Sequence, residues 1–398
     1  MNILYHHRTK SRDGQTVHIR ELIAALRARG HSIEEWALSR GEQGEMGSEG
    51  GLLARVASRA PRVLYEIAEH AYGPLTAGRL ARAGQRIGAE VLYERHALGN
   101  TAGIRAARKL GIPFLLEVNS PLAHERATHD QLVLQGWARH SERSVFQRAD
   151  RVLCVTRVLA DMLTEAGVLR SHLYVVRNGV DLGRYPSPNP RVGDDGEIVI
   201  GFTGFFRPWH GIEDLVDALA DGSLPERARL LLVGEGPSRE SIEDRSRQRG
   251  VVDRVEITGA VAHEQIPEYL AAMDICVQPA ATPWASPLKL PEYMAAGRAI
   301  VAPDQQNMRE VLTHGRDALL FDTSTPGAMA GAVATLAHDR ALCERLGASA
   351  RETVEREKLT WDGVAERVEA IAMTCLAERM HRVERRVDIE RGRAERRS

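Results

Sequence analysis

Cysteine is scarce in this chain and follows no pattern. Among 398 residues there are four, Cys154, Cys276, Cys343 and Cys375, and none stand in Cys-x-x-Cys spacing. A zinc ribbon or a disulfide framework is therefore excluded as the organising principle. Cys154 and Cys276 lie in apolar, strand-like runs, which predicts buried reduced thiols. Net charge is also close to absent. The formal value is −1, so bulk electrostatics offers no grip on nucleic acid or a strongly anionic membrane. No apolar run approaches the roughly 18 residues needed to span a bilayer. The N-terminus enters strand-like sequence without a basic leader or an apolar signal core, so a cytoplasmic protein is expected. There is no internal repeat beyond the alternation described below, and no low-complexity tract. Finally, no Asp-x-Asp pair occurs anywhere, which removes the usual carboxylate bracket for a metal-bound nucleotide diphosphate. Nor is there a G-x-x-x-x-G-K-[ST] loop, a G-x-S-x-G turn or an H-E-x-x-H helix. Metal-free chemistry without a resident cofactor is the expectation.

What is present reads as soluble and globular: 43% hydrophobic and 27% charged residues, in a chain long enough for two cores. Short apolar runs alternate with helical patterns. In the first half the strand candidates are 3–5, 91–93, 114–116, 152–155 and 173–176. A helix with Ile19, Leu22, Ile23 and Leu26 on one face follows a polar loop containing Gly14, and long helical patterns cover 101–110 and 129–147. The Pro- and Gly-rich segment 186–196 reads as a linker. A second series then begins, with strands at 198–202, 228–233, 255–257, 275–277 and 299–301. This predicts an α/β protein with two Rossmann-like, doubly wound domains facing across a cleft, at residues 1–185 and 197–360. A helix at 361–378 is expected to cross back to the first domain, followed by an arginine-rich, solvated tail at 379–398.

The richest segment is Ala285-Ser-Pro-Leu-Lys-Leu-Pro-Glu-Tyr-Met-Ala-Ala-Gly297. Lys289 lies in a Pro-bounded loop three residues before Glu292, which opens a small-residue helix. A cation, a helix start and a carboxylate suit an anionic ligand that carries sugar hydroxyls, with phosphate on Lys289 and a hydroxyl pair on Glu292. A plain amphipathic helix with a charged first turn is the competing reading. The loop Gly201-Phe-Thr-Gly-Phe-Phe-Arg-Pro-Trp-His-Gly211 joins a strand to a helix, with Gly204 permitting a tight turn and Arg207 placed at the strand end. Two cations at two sheet ends of one domain suggest a diphosphate clamp. Val233-Gly-Glu-Gly-Pro237 ends another strand; Gly234 and Gly236 make either room for a base or ribose, or an ordinary turn. In the first domain, Asn119 and His124 follow the strand at Phe114. Arg95 ends another strand, and Arg8 follows the first.

Taken together, these residues resemble the family 4 glycosyltransferases, retaining enzymes of the GT-B fold. The resemblance rests on Glu21 to Ile33, Asn178-Gly-Val-Asp181, Val233-Gly-Glu-Gly-Pro237 and Pro291-Glu-Tyr-Met-Ala-Ala-Gly297. It implies a nucleotide-sugar donor bound mainly by the second domain. Glu292 would hold the ribose, and Arg207 and Lys289 the diphosphate. Gly204, Ser286, Pro287, Leu288, Leu290, Gly234 and Gly236 would surround the donor, while Gly14 and Gln15 would meet its phosphate or the acceptor. Arg8 and Arg95 would contact the acceptor, with Asn119 and His124 near the reacting centre. Three positions depart from the family pattern. Trp284 stands where the first of two spaced glutamates is usual, His210 where a lysine is usual, and Asn119 where a histidine is frequent.

The implied activity is retaining, metal-independent transfer of a sugar from a UDP- or GDP-linked donor to a hydroxyl of a small-molecule, glycan or lipid-linked acceptor. Alternatives are a nucleotide-sugar epimerase or phosphorylase on the same scaffold, or a non-catalytic partner subunit. Residues 51–81 mix Leu, Val and Ile with Arg55, Arg59, Arg62 and Arg79, a pattern compatible with an interfacial helix and hence peripheral membrane contact. A helical hairpin packed on the protein itself is the other reading.

Overall fold

The computed structural model describes residues 1–9, 14–37, 61–129, 132–185 and 196–395. The chain divides into two compact units, Met1–Arg177 with Val364–Ser398, and Asn178–Gly363. The expected linker at 186–196 lies, except for Gly196, outside the described residues. The second unit starts earlier than the proline-rich stretch suggested, at Asn178. Asn178 and Gly179 belong there because the chain beside them packs on Thr360: Val180 N donates to Leu359 O, and Trp361 N to Val180 O. A Cβ on Gly179 would come within 2.5 Å of the Thr360 carbonyl carbon.

The first unit carries strands β1 (Asn2–His6), β2 (Ser32–Trp36), β3 (Val91–Arg95), β4 (Phe114–Val118), β5 (Arg151–Cys154) and β6 (Leu173–Val175). Its helices are α1 (Gly14–Ala28), α2 (Arg62–Ile87), α3 (Ala102–Leu110), α4 (Leu122–His129), α5 (Gln135–Arg148) and α6 (Arg157–Glu165). The strands form one sheet in the order β2-β1-β3-β4-β5-β6, with every pairing parallel. Every residue of β3, β4 and β5 is buried, as helices on both faces of a parallel sheet require. Two expectations need correction. Helix α1 begins at Gly14 itself, so Gly14 and Gln15 form the first turn of a helix and not a preceding loop. The helical stretch expected at 129–147 begins only at Gln135, as α5, and His129 is the last residue of α4.

The second unit repeats the plan with β7 (Ile198–Thr203), β8 (Ala228–Val233), β9 (Val255–Gly259), β10 (Ile275–Val277), β11 (Ala299–Pro303) and β12 (Leu319–Phe321). Helices α7 (Glu213–Ala220), α8 (Arg239–Arg249), α9 (Ile266–Ala271), α10 (Lys289–Ala295), α11 (Gln306–Arg309), α12 (Ala328–His338) and α13 (Arg340–Arg356) accompany them. The order is β12-β11-β10-β7-β8-β9, again parallel throughout. Strand order reverses between β7 and β10. The loops leaving those two strands therefore flank a topological switch point, where open α/β sheets bind ligands. One face of the sheet packs Phe202, Leu215, Leu230, Ile242 and Val333, and the other packs Leu231, Met273, Tyr293, Met294 and Ile300.

The last helix, α14 (Trp361–Glu395), runs well beyond the expected end at 378, so the arginine-rich segment is largely its continuation. It is tied to the first unit by Arg29 with Glu369 at 2.8 Å and Arg151 with Glu378 at 2.6 Å. Among the described residues no helix is long and apolar enough to cross a membrane.

Candidate functional site

In the second unit, Tyr293 ties α10 to the end of β7. Its hydroxyl accepts from Thr203 N at 2.9 Å and lies 3.2 Å from Thr203 Oγ1. This brings α10 up to the loop that begins at Gly204. That helix starts at Lys289 and not, as expected, at Glu292. The two side chains are thus one turn apart on the same helix, and both are half-buried.

The Lys289 ammonium sits 3.8 Å from the centroid of the Phe202 ring. A Cβ on Gly204, where φ is +125°, would stand 3.1 Å from it. Among the described residues no carboxylate lies within ion-pair distance. Burial pushes its pKa down to about 7, against the weaker opposing pull of Glu292. A cation that the fold desolvates but does not neutralise is a seat for an anion.

Two more groups of the β7 loop share this corner. Arg207 is exposed and its guanidinium lies between two rings, 4.7 Å from Phe205 and 5.2 Å from Trp209. It too has no carboxylate partner among the described residues. His210 takes the place of a usual lysine, yet it supplies no charge. Burial, then Lys289 and Arg207, drive its pKa down to about 3. The Arg207 backbone N–H donates to its Nδ1 at 3.3 Å. The ring is therefore neutral, with its proton on Nε2, and is a hydrogen-bond donor.

Gly234 and Gly236 have another explanation. The β7 and β8 loops are zipped by Gly204 N to Val233 O and Phe206 N to Glu235 O, each 2.8 Å. A Cβ on Gly234 would stand 1.9 Å from Gly204 O, and one on Gly236 2.4 Å from the Phe206 backbone. What the missing side chains admit is protein backbone.

The loop after β10 carries Trp284, Ser286, Pro287 and Leu288, all half-buried. Buried amides pin it. Asn178 Nδ2 donates to Ser286 O at 2.7 Å, and Asn307 Nδ2 to Thr282 O and Ala285 O at 3.0 and 2.8 Å. Leu290 N donates to Pro287 O of this loop at 3.2 Å. Its side chain is buried in the core with Tyr293 and Met294, so only its backbone, in the first turn of α10, is left to meet a donor. Glu292 receives a hydrogen bond at 2.7 Å from His263, a residue that sequence reasoning overlooked because a lone histidine in a polar turn carries no signal.

The first unit holds a separate cluster around Glu117, the penultimate residue of β4. This buried carboxylate lies 2.5 Å from Arg95 Nη1 and 2.5 Å from Asn119 Nδ2, and accepts from Tyr93 OH at 2.8 Å. Burial opposes its ionisation, but the neighbouring His18, then Arg95 and the hydrogen bonds from Asn119 and Tyr93, prevail and hold its pKa below the ordinary range. His18 of α1 packs beside it, 3.3 Å from Arg95; burial drives its pKa down to about 4 against the pull of Glu117. Arg95 is thus spent inside the protein, which corrects its expected role at an acceptor. Asn119 is half-buried and held by Glu117. His124 is exposed on α4, and Gly14 and Gln15 are exposed on α1. Arg8 is half-buried, 4.4 Å over the Tyr72 ring.

Two parallel-sheet Rossmann-like units with this connectivity define the GT-B architecture. Solved structures agree. Sucrose-phosphate synthase from Thermosynechococcus elongatus superposes with a TM-score of 0.75 at 20% identity, over 95% of this chain and 100% of that one. HepE from Anabaena, in complex with UDP-glucose, gives 0.69 at 18% identity over 94% and 99%.

The sequence comparisons then narrow the class. A model described as "Glycosyltransferase Family 4" matches residues 12–184, and one described as "Glycosyl transferases group 1" matches residues 197–339. The chain belongs to the family 4 glycosyltransferases. Among its relatives, a GDP-mannose-dependent alpha-mannosyltransferase of Mycobacterium tuberculosis (strain CDC 1551 / Oshkosh) is 28% identical over 65% of this chain and 66% of its own length. An alpha-D-kanosaminyltransferase of Streptomyces kanamyceticus is 27% identical over 68% and 73%. The chain thus spans about two thirds of the length of these relatives.

Proposed function

We propose that this protein transfers a sugar, with retention of configuration and without a metal ion, from a UDP- or GDP-linked donor to an acceptor hydroxyl. The observation that carries the reading is the uncompensated cation corner of the second unit: Lys289 over Phe202, Arg207 beside its two rings, and neutral His210, whose Nε2 proton has no protein partner among the described residues. As the bond from the anomeric carbon to the diphosphate breaks, the electron pair moves onto the leaving oxygen. Lys289 and Arg207 stabilise that charge, and His210 donates a hydrogen bond to it. The acceptor oxygen bonds to the anomeric carbon on the face the leaving group vacates, and its proton passes to the departing phosphate. In this reading Glu292 holds the ribose hydroxyls. The same cations supply the charge that a divalent ion would otherwise provide, so chelation with EDTA is expected to leave turnover unchanged.

The nucleotide donors follow from the names of relatives and neighbours, which include GDP-mannose and UDP-glucose. The first unit would present the acceptor, with Asn119, His124 and Arg8 as its contacts. The test is a panel of UDP- and GDP-sugars assayed for nucleoside diphosphate release with and without candidate acceptors, and product anomers read by NMR. Acceptor-dependent release with a retained anomer supports the reading. Release to water alone, a requirement for inorganic phosphate, or an inverted product defeats it.

One further observation favours a lipid-linked acceptor. The outer stripe of α2 exposes Leu64 (55%), Ile67 (41%) and Leu75 (77%), and Arg79 and Arg82 continue it. An apolar stripe that runs into cations fits the surface of an anionic membrane. Co-sedimentation with vesicles rich in anionic lipid, lost in Leu75→Glu and absent with neutral vesicles, is the expected result; equal recovery from both vesicle types would exclude it.

A further inference from the structure

A 3-10 turn after β9, His263–Gln265, places one imidazole between an arginine and the carboxylate assigned to the ribose. Its Nε2 lies 2.7 Å from Glu292 Oε1, and its Nδ1 lies 3.3 Å from Arg184 Nη1. A guanidinium only donates hydrogen bonds, so Nδ1 must accept and the ring proton must sit on Nε2, aimed at Glu292. Arg184 is itself held, its Nε 3.3 Å from Asp181 Oδ2, while Asp181 Oδ1 accepts from Gly183 N at 3.0 Å. The line Asp181–Arg184–His263–Glu292 lies wholly within the second unit.

We propose that His263 is a positioning residue for Glu292, and that it does two things at once: it turns the carboxylate toward the ribose hydroxyls, and it keeps that carboxylate off Lys289. Both effects come from one bond. Glu292 and Lys289 are three residues apart on α10, the spacing at which opposite charges on a helix normally pair. They do not pair here, since no carboxylate lies within ion-pair reach of Lys289 among the described residues. Glu292 Oε1 is drawn to His263 instead, and Oε2 has no protein hydrogen bond among the described residues. An internal Lys289–Glu292 pair would neutralise the phosphate seat and occupy the ribose carboxylate together. His263 separates the two charges so that one ligand, a nucleoside diphosphate with a ribose, meets both.

The inference rests on the assignment of Glu292 to the ribose, and the experiment separates the two. Titration calorimetry would compare UDP and GDP with their 2′-deoxy counterparts on the wild-type chain, Glu292→Ala, His263→Ala and His263→Gln, whose amide can still donate. Thermal melts would establish that each variant folds. For the nucleotide that binds, the wild type is expected to prefer the ribose form by about tenfold, as a hydrogen bond to a charged group predicts. His263→Ala should bring that ratio close to one and also weaken the 2′-deoxy nucleotide, because Lys289 becomes paired. His263→Gln should recover most of both losses. A His263→Ala protein that keeps the ribose preference while Glu292→Ala loses it would overturn the role of His263 and leave the ribose assignment standing. A wild type without ribose preference, unaffected by Glu292→Ala, would overturn both.

Discussion

Lys289 holds its ammonium 3.8 Å over the ring of Phe202, and among the described residues it has no carboxylate in salt-bridge reach. Burial accordingly brings its pKa to about 7. A bound diphosphate would restore the charge, so binding must take up a proton whenever the solution is above that pH. The sign follows directly. Affinity is fully expressed below about pH 7 and falls as pH rises through it, by up to about tenfold per unit until the pKa of the complex is passed. Calorimetry of nucleoside diphosphate binding in buffers of different ionisation enthalpy should reveal the proton. In Lys289→Arg, where the charge does not titrate, the decline should vanish; an affinity independent of pH in the wild type would remove Lys289 from the phosphate seat.

Arg207 poses the complementary case. Its guanidinium is exposed between Phe205 and Trp209, so truncation should hardly touch stability. Arg207→Ala is expected to lower kcat by about a hundredfold, the usual effect of removing one preorganised group at a developing anion, with little change in melting temperature. Near-normal turnover in both Arg207→Ala and Lys289→Ala would contradict the assignment of the leaving-group site.

Glu117 allows a prediction about stability. Arg95, Tyr93 and Asn119 all converge on its buried carboxylate. Glu117→Ala would strand the Arg95 charge inside the first unit, and loss of one partner of such a pair costs about 3–5 kcal/mol. Urea denaturation should show that loss. The double variant Glu117→Ala, Arg95→Met should regain part of it, because no unpaired ion then remains buried.

The alternation of apolar runs and helical periods made ten of the twelve strands among the described residues legible. The two that escaped, β2 and β12, are both sheet edges. Ser32-Ile-Glu-Glu-Trp36 carries two acids on a half-exposed strand, so neither an apolar run nor a clean alternation marks it. β12, Leu319–Phe321, is no shorter than β6 or β10, which were legible, so length does not account for it. Within the site, Lys289, Arg207 and Glu292 could be picked out because charge at a strand end or helix start is chemically conspicuous. His263, Tyr293 and Asn307 could not, since their roles arise from partners 29, 90 and 22 to 25 residues away. Arg95 was misplaced for a related reason: a charged residue ending a strand looks solvent-facing until the acid opposite it, Glu117, is known to be buried.

Glycine makes the last distinction testable. At Gly234, φ is +145° and an added Cβ would stand 1.9 Å from the Gly204 carbonyl oxygen, which is backbone and cannot swing aside. Gly234→Ala must therefore strain its own backbone and push apart the β7 and β8 loops, displacing Gly204 from Lys289. Gly78, by contrast, lies inside α2 with nothing within 4 Å of its would-be Cβ. There, Gly78→Ala should stabilise by roughly 0.5–1 kcal/mol through helix propensity. Gly234→Ala should destabilise by about 2 kcal/mol or more and weaken nucleotide binding in the surviving folded protein. Chemical denaturation of the pair, with calorimetry on the folded fraction, checks both. If Gly234→Ala kept full stability and full affinity, the two loops would not be coupled as their hydrogen bonds require, and the cation corner would owe nothing to the turn beside it.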